Sequence, residues 1–209
     1  MRWNDHSKLI GTHAFLSASQ PSWRRKEADE LIEAKKNSYA QQIGTMMHEY
    51  AADCIKYREK LRKSDMRGVK FDLIRKGIPE YAIDIERIYP TFMSYVNDAI
   101  GFGLDPEVIL WYSNECYGTA DAINLDGKIL RIHDLKTGIK PAKMDQLMVY
   151  AGLFYLEYGM KPEKISTELR IYQMDEVLVY EPEVEEVREV MEDIEVKDRV
   201  LKSMIQEVS

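Results

Sequence analysis

The sequence predicts an α/β (α+β) fold, a mixed central β-sheet flanked by helices, on three observations. Apolar residues recur at three-to-four spacing through the first hundred positions, the period of an amphipathic helix. Near residue 105 the pattern changes to short runs rich in β-branched and aromatic residues, separated by turn residues such as Asp126-Gly127. The resulting order is helices, three strands, a helix, two strands and a final helix, which calls for a sheet covered by helices.

Taken in order, residues 24–36 are rich in Lys, Glu and Ala and predict a first helix. A second covers 38–62, with Ile43, Met46, Met47, Tyr50, Ala51, Cys54 and Tyr57 on one stripe. A third spans about 80–100, where Pro90 should kink or split it and Gly101-Phe102-Gly103 closes it. Strands follow at 108–112, 116–125 and 128–135. Pro141 is placed to open a helix of 141–158 that Gly159 ends. Strands return at 167–174 and 177–181. A tail helix, 183–208, aligns Val187, Val190, Met191, Ile194, Leu201, Met204, Ile205 and Val208. The chain of 209 residues reads as one domain: 1–104 mainly helical, 105–181 the sheet core, 182–209 the C-terminal helix.

Composition narrows the function classes. At 45% hydrophobic and 31% charged, with no long apolar run, the chain reads as soluble, without a membrane span or signal peptide, and cytoplasmic. Cys54 and Cys116 are too few and too distant for a zinc or disulfide framework. The net charge of −7 argues against holding nucleic acid by bulk electrostatics. The charge is uneven, however. Residues 56–76 carry nine Lys/Arg against three acids, and 175–209 carry twelve acids against four bases, so a local basic surface survives the acidic average.

The turn permits a geometric test for chemistry. With Asp126-Gly127 as a two-residue loop, Leu125 faces Lys128, Asp121 faces Ile132 and Thr119 faces Asp134. Strand alternation then points Asp121, Asp134 and Lys136 to one face, with the two acids diagonal neighbours. An exposed Lys–Asp ion pair explains such a face as well. Leu130, Ile132, Ile123 and Leu135 around it instead imply burial, where two carboxylates repel and need a counter-charge. Lys136 supplies one, and Mg²⁺ or Mn²⁺ suits carboxylate oxygens. His133 points to the opposite face. Glu49 and Glu115 read as solvated acids.

Gly118-Thr-Ala-Asp121, Asp134-Leu-Lys136-Thr-Gly and Gln146-Leu-Met-Val-Tyr150, with Gly44-Thr-Met-Met-His48 upstream, resemble the core of the PD-(D/E)XK nuclease superfamily. The likeness is to its RecB-like and phage-exonuclease branch. It implies a restriction-endonuclease-like core in which Asp121, Asp134 and Lys136 are catalytic. His48, Asp121, Asp134 and Leu135 would hold the metal, and Gln146 and Tyr150 would line the substrate strand. Tyr150 is equally explained as core, and His48 follows an apolar stripe. Two cysteines exclude the iron–sulfur cluster of some members, and the absence of a G-x-x-x-x-G-K-[ST] string excludes a nucleotide cofactor.

The resemblance implies a divalent-metal-dependent deoxyribonuclease, by preference an exonuclease in phage-type recombination, acting on DNA in a bacterial host cytoplasm. A recombination partner protein and a homo-oligomer are compatible with it. The basic 56–76 stretch and the cluster Ser17, Ser19, Trp23, Arg24 and Arg25 are candidates to grip the backbone or strand end. A capped helix start explains that cluster equally well. The alternatives are an endonuclease using the same site, or a non-catalytic DNA- or protein-binding module on a nuclease scaffold.

Overall fold

The computed structural model describes residues 4–9, 11 and 14–206. Its architecture is the expected one: a five-stranded mixed sheet flanked by helices, with helices at the N-terminal side and one at the C-terminus. The sheet order is β1 (Asp105–Ser113), β2 (Cys116–Asp126), β3 (Ile129–Lys136), β4 (Ser166–Gln173) and β5 (Glu176–Tyr180). Only β3 and β4 run parallel; the other neighbours are antiparallel. A parallel pair cannot be joined by a hairpin, and the crossover is α4 (Asp145–Tyr158).

The two helices expected over 24–36 and 38–62 form a single helix, α1 (Ala28–Tyr57). Glu27 and Glu30 make a reciprocal capping box at its start. The polar Asn37-Ser38 step contains no Gly or Pro and does not break it, and the Gln42 amide donates to the Ser38 carbonyl (3.2 Å) on the same helix. Arg58 ends it in the left-handed region at φ 58°, and its guanidinium donates to the Leu104 carbonyl (2.7 Å). The basic run therefore divides between the end of α1, a 3-10 turn and α2 (Met66–Arg75).

Helix α3 (Ile85–Gly101) continues through Pro90 unsplit. Pro90 is only the sixth helical residue, so it removes a single intrahelical bond near the capped end, where Asp84 accepts from the Arg87 N–H (3.4 Å). Helix α4 begins four residues later than Pro141 suggested. The loop before it is held by Gln173, which accepts from the Ala142 N–H (3.0 Å) and donates to the carbonyls of Gly138 (2.8 Å) and Lys140 (2.7 Å). Helix α5 (Val184–Gln206) is the expected tail helix; Val208 lies outside the described residues.

Two cores lie on opposite faces of the sheet. One packs α1, α2 and α3 against Ala122, Leu135 and Tyr172, with Tyr89, Phe92 and Tyr95 at its centre. The other packs α4 and α5 against Leu110, Ala120, Ile123, Leu130, Ile132, Leu169 and Ile171. Each fully buried Leu, Ile or Phe contributes about 1.5–3 kcal/mol, so the sheet is a rigid platform with both faces clamped. Among the described residues no helix is long and apolar enough to cross a membrane.

Candidate active site

The β2–β3 turn differs from expectation by one step. Asp126 pairs with Ile129, so the loop is Gly127-Lys128, with Gly127 at φ +60°. Every pairing shifts by two residues: Ile123 faces Ile132 and Ala122 faces His133. The ladder ends there, and continuing its register sets Asp121 directly against Asp134 instead of diagonal to it. Because the shift is even, Asp134 and Lys136 keep the face assigned to them.

Asp121 itself sits at a break in alternation. Ala120 packs in the α4/α5 core and Ala122 in the α1–α3 core, although a regular strand would place both on one face. On the neighbouring strand the pairing passes from Pro106–Ala122 to Val108–Ala120, and Glu107 between them has φ 53°. This irregularity aims Asp121 into the gap that opens between β2 and β3. Its Oδ2 there accepts the Leu135 N–H (3.3 Å) and lies 3.2 Å from His48 Nδ1 on α1.

Asp134 is 2% exposed. Lys136 Nζ donates to its Oδ1 (2.9 Å), whereas Oδ2 is buried without a hydrogen-bond partner. Burial and the Asp121 charge push the Asp134 carboxyl up to about 6, against the pull of Lys136 and His48. Burial alone would lower the His48 imidazole, but its bond to Asp121 and the charges of Asp121 and Asp134 raise it overall. Lys136 also donates to Gln146 Oε1 (3.0 Å), whose amide donates to the Tyr150 hydroxyl (3.0 Å). A continuous chain thus runs Asp134–Lys136–Gln146–Tyr150.

The motif glycines have steric reasons. A Cβ on Gly44 would meet Thr137 Oγ1 at 3.1 Å, so Gly44 lets α1 close on the loop after Lys136, one turn before His48. A Cβ on Gly118 would meet Tyr150 Cε1 at 2.8 Å, so Gly118 lets the edge of that ring close on β2.

The structure brings His48, Asp121, Asp134, Leu135, Lys136, Gln146 and Tyr150 together. No hydrogen bond or ion pair of the described residues joins Ser17, Ser19, Trp23, Arg24 or Arg25 to them. Ser17 and Ser19 bond each other (2.8 Å), and the Trp23 indole donates to the Ser17 carbonyl (2.9 Å), a self-contained turn. Four of the nine bases in the basic stretch are paired: Arg58 with Asp105, Lys70 with Glu80, Arg75 with Asp72 and Lys76 with Glu49. Sequence reasoning missed Glu107, which lines a cleft of ≈ 840 Å³ with Thr45, His48, Glu49, Asp53 and Asp121. Burial and the Asp121 charge raise its carboxyl, partly offset by His48. No motif announces it, because a glutamate in a strand has no distinguishing spacing.

Among the described residues, no three His, Cys, Asp or Glu side chains are already arranged as a chelate. Imidazole and Asp121 hold each other, and Lys136 holds one oxygen of Asp134. The donor chemistry nevertheless fits a hard divalent cation: two carboxylates, an imidazole, and one buried oxygen without a partner.

The sequence profile of a family described as "Protein of unknown function (DUF2800)" matches residues 13–204. The chain belongs to the DUF2800 family. The match takes in the whole sheet, α1 with His48, and α4 with Gln146 and Tyr150, so the DUF2800 unit contains the entire candidate site. No curated protein and no solved structure matches the chain.

Proposed function

We propose that the protein is a divalent-metal-dependent deoxyribonuclease that hydrolyses phosphodiester bonds, with a PD-(D/E)XK-type site. One observation carries the reading. Where β2 and β3 part, a buried carboxylate with an unpartnered oxygen, Asp134, meets Lys136 at 2.9 Å, with Asp121 and His48 beside it. Burying two acids together is costly unless a counter-charge is recruited, and an ordinary structural face would avoid it.

Asp121, Asp134 and His48 are the side chains that would hold Mg²⁺ or Mn²⁺, with the main chain of Leu135 between the two acids. Such an ion supplies an activated water and neutralises charge on the phosphoryl oxygens. Lys136, oriented by Gln146 and Asp134, presents its ammonium to the charge that develops on the attacked phosphate. Tyr150 braces Gln146 from beneath, so the lysine is held from two sides. On the side of His48 and Asp121 the site opens into the ≈ 840 Å³ cleft.

Purified protein with Mg²⁺ or Mn²⁺ is expected to degrade linear DNA, and Asp134→Ala and Lys136→Ala to abolish this while remaining folded. Equal cleavage of closed circular DNA would make it an endonuclease instead of an exonuclease. The mutual hold of His48 and Asp121 favours a second reading, a non-catalytic binding module. Wild-type protein that binds metal and leaves every DNA substrate intact would establish that module and overturn the enzyme.

A further inference from the structure

On β1 and β2 the even positions Val108, Leu110, Tyr112 and Cys116 pack into the α4/α5 core. Ile109 and Trp111 therefore face the other way, and so do their cross-strand partners: Ile109 pairs with Thr119 and Trp111 with Tyr117. That side of the sheet is covered by α1 around His48 but not here. Ile109 is 63%, Trp111 50% and Tyr117 64% exposed, and Thr119 is exposed beside them. A pair of large aromatics flanked by an isoleucine forms one contiguous apolar strip on an otherwise polar arm. It runs directly into the cleft, because Glu107 and Asp121 are the next residues along the two strands.

We propose that this strip is a stacking platform for the unpaired bases of single-stranded nucleic acid whose backbone crosses the Asp121/Asp134 site. The proposal rests on the nuclease reading and names its substrate form. Continuity of the strip with the cleft lined by Glu107 and Asp121 selects this occupant. At a net charge of −7, counterion release contributes little affinity, and stacking has to supply it. Stacking on aromatic rings needs no net charge and tolerates any base. A protein partner adding a strand to this edge is disfavoured. The Trp111 N–H, which such a strand would need, already donates to Glu157 Oε2 (2.8 Å) from α4.

The test is fluorescence anisotropy of labelled oligo-dT and oligo-rU with the full chain, in EDTA at low salt, so that binding is read without chemistry. Trp111→Ala and Tyr117→Ala are each expected to weaken binding roughly tenfold, and Trp111→Phe to retain most of it. The two oligonucleotides separate DNA from RNA as the source of the strand. Unchanged binding by both alanine variants overturns the platform. So does loss of self-association in sedimentation with binding intact, which would make the strip a contact between copies of this chain. Wild-type binding that depends on Trp111, without cleavage of any DNA in Mg²⁺ or Mn²⁺, supports the platform and overturns the nuclease.

Discussion

Lys136 Nζ donates to Asp134 Oδ1 at 2.9 Å, yet leaves Oδ2 of the same carboxylate buried and unpartnered. One ammonium is therefore too little compensation for the acid pair, and the folded state bears an electrostatic strain that a cation would relieve.

That strain has a pH signature. The Asp134 carboxyl is raised from 3.8 to about 6 in the folded protein, so the folded state binds the extra proton between those values. The contribution of this carboxyl to stability is full below about pH 4 and is lost as pH rises through 6. Asp134→Asn should therefore stabilise the metal-free protein at pH 8 by on the order of 1–3 kcal/mol and have no such effect at pH 4. Denaturant unfolding in EDTA at the two pH values checks it, and a destabilised variant at pH 8 would refute the strain. Adding Mn²⁺ should raise the wild-type midpoint and not that of the variant.

His133 works in the opposite sense. It is fully buried, and burial, Arg170 and Arg131 lower its imidazole from 6.5 to about 3. The unfolded chain takes up the proton first, so this residue's contribution to stability is lost as pH falls from 6.5 toward 3. His133→Phe, which keeps contact with Phe102 and Tyr172, should flatten the acid limb of the stability curve by about 2–4 kcal/mol. Midpoints at pH 4 and pH 7.5 give the comparison.

Gly118→Ala should displace the Tyr150 ring and loosen the Gln146–Lys136 chain. The 2.8 Å approach leaves no room for a methyl. We expect a loss of about 1–3 kcal/mol in stability and a fall in DNA cleavage that exceeds what unfolding explains. A Gly118→Ala, Tyr150→Leu double variant should regain stability but not cleavage.

Glu107 combines a left-handed backbone, φ 53°, with a place in the cleft beside Asp121 and His48. Strain of this kind persists where function demands it. Glu107→Gly should raise stability by about 1 kcal/mol while weakening Mn²⁺ binding, measured by calorimetry. Improved stability with unaltered metal affinity would make Glu107 a mere bulge residue.

Much of the architecture is legible in single windows of sequence. The β2 and β3 runs, the helix ended by Gly159 and the tail stripe all emerge close to their expected places, because 3.6 and 2.0 periodicities and turn residues act locally. The helices expected over 24–36 and 38–62 fuse, since a polar step without Gly or Pro does not by itself stop the backbone ladder.

The candidate site divides the same way. Sequence alone determined which residue types recur, Asp121, Asp134, Lys136, His48, Gln146 and Tyr150, and the parity that keeps Asp134 and Lys136 on one face. Only the tertiary structure decided that Asp121 accepts the Leu135 N–H where β2 and β3 part, that Glu107 joins the cleft, and that Trp111 and Tyr117 are left uncovered. The reason is physical: periodicity is a property of neighbouring residues. Register, burial and exposure depend on contacts between distant segments, such as the Leu135 N–H to Asp121 and Glu157 to Trp111, which no short window contains.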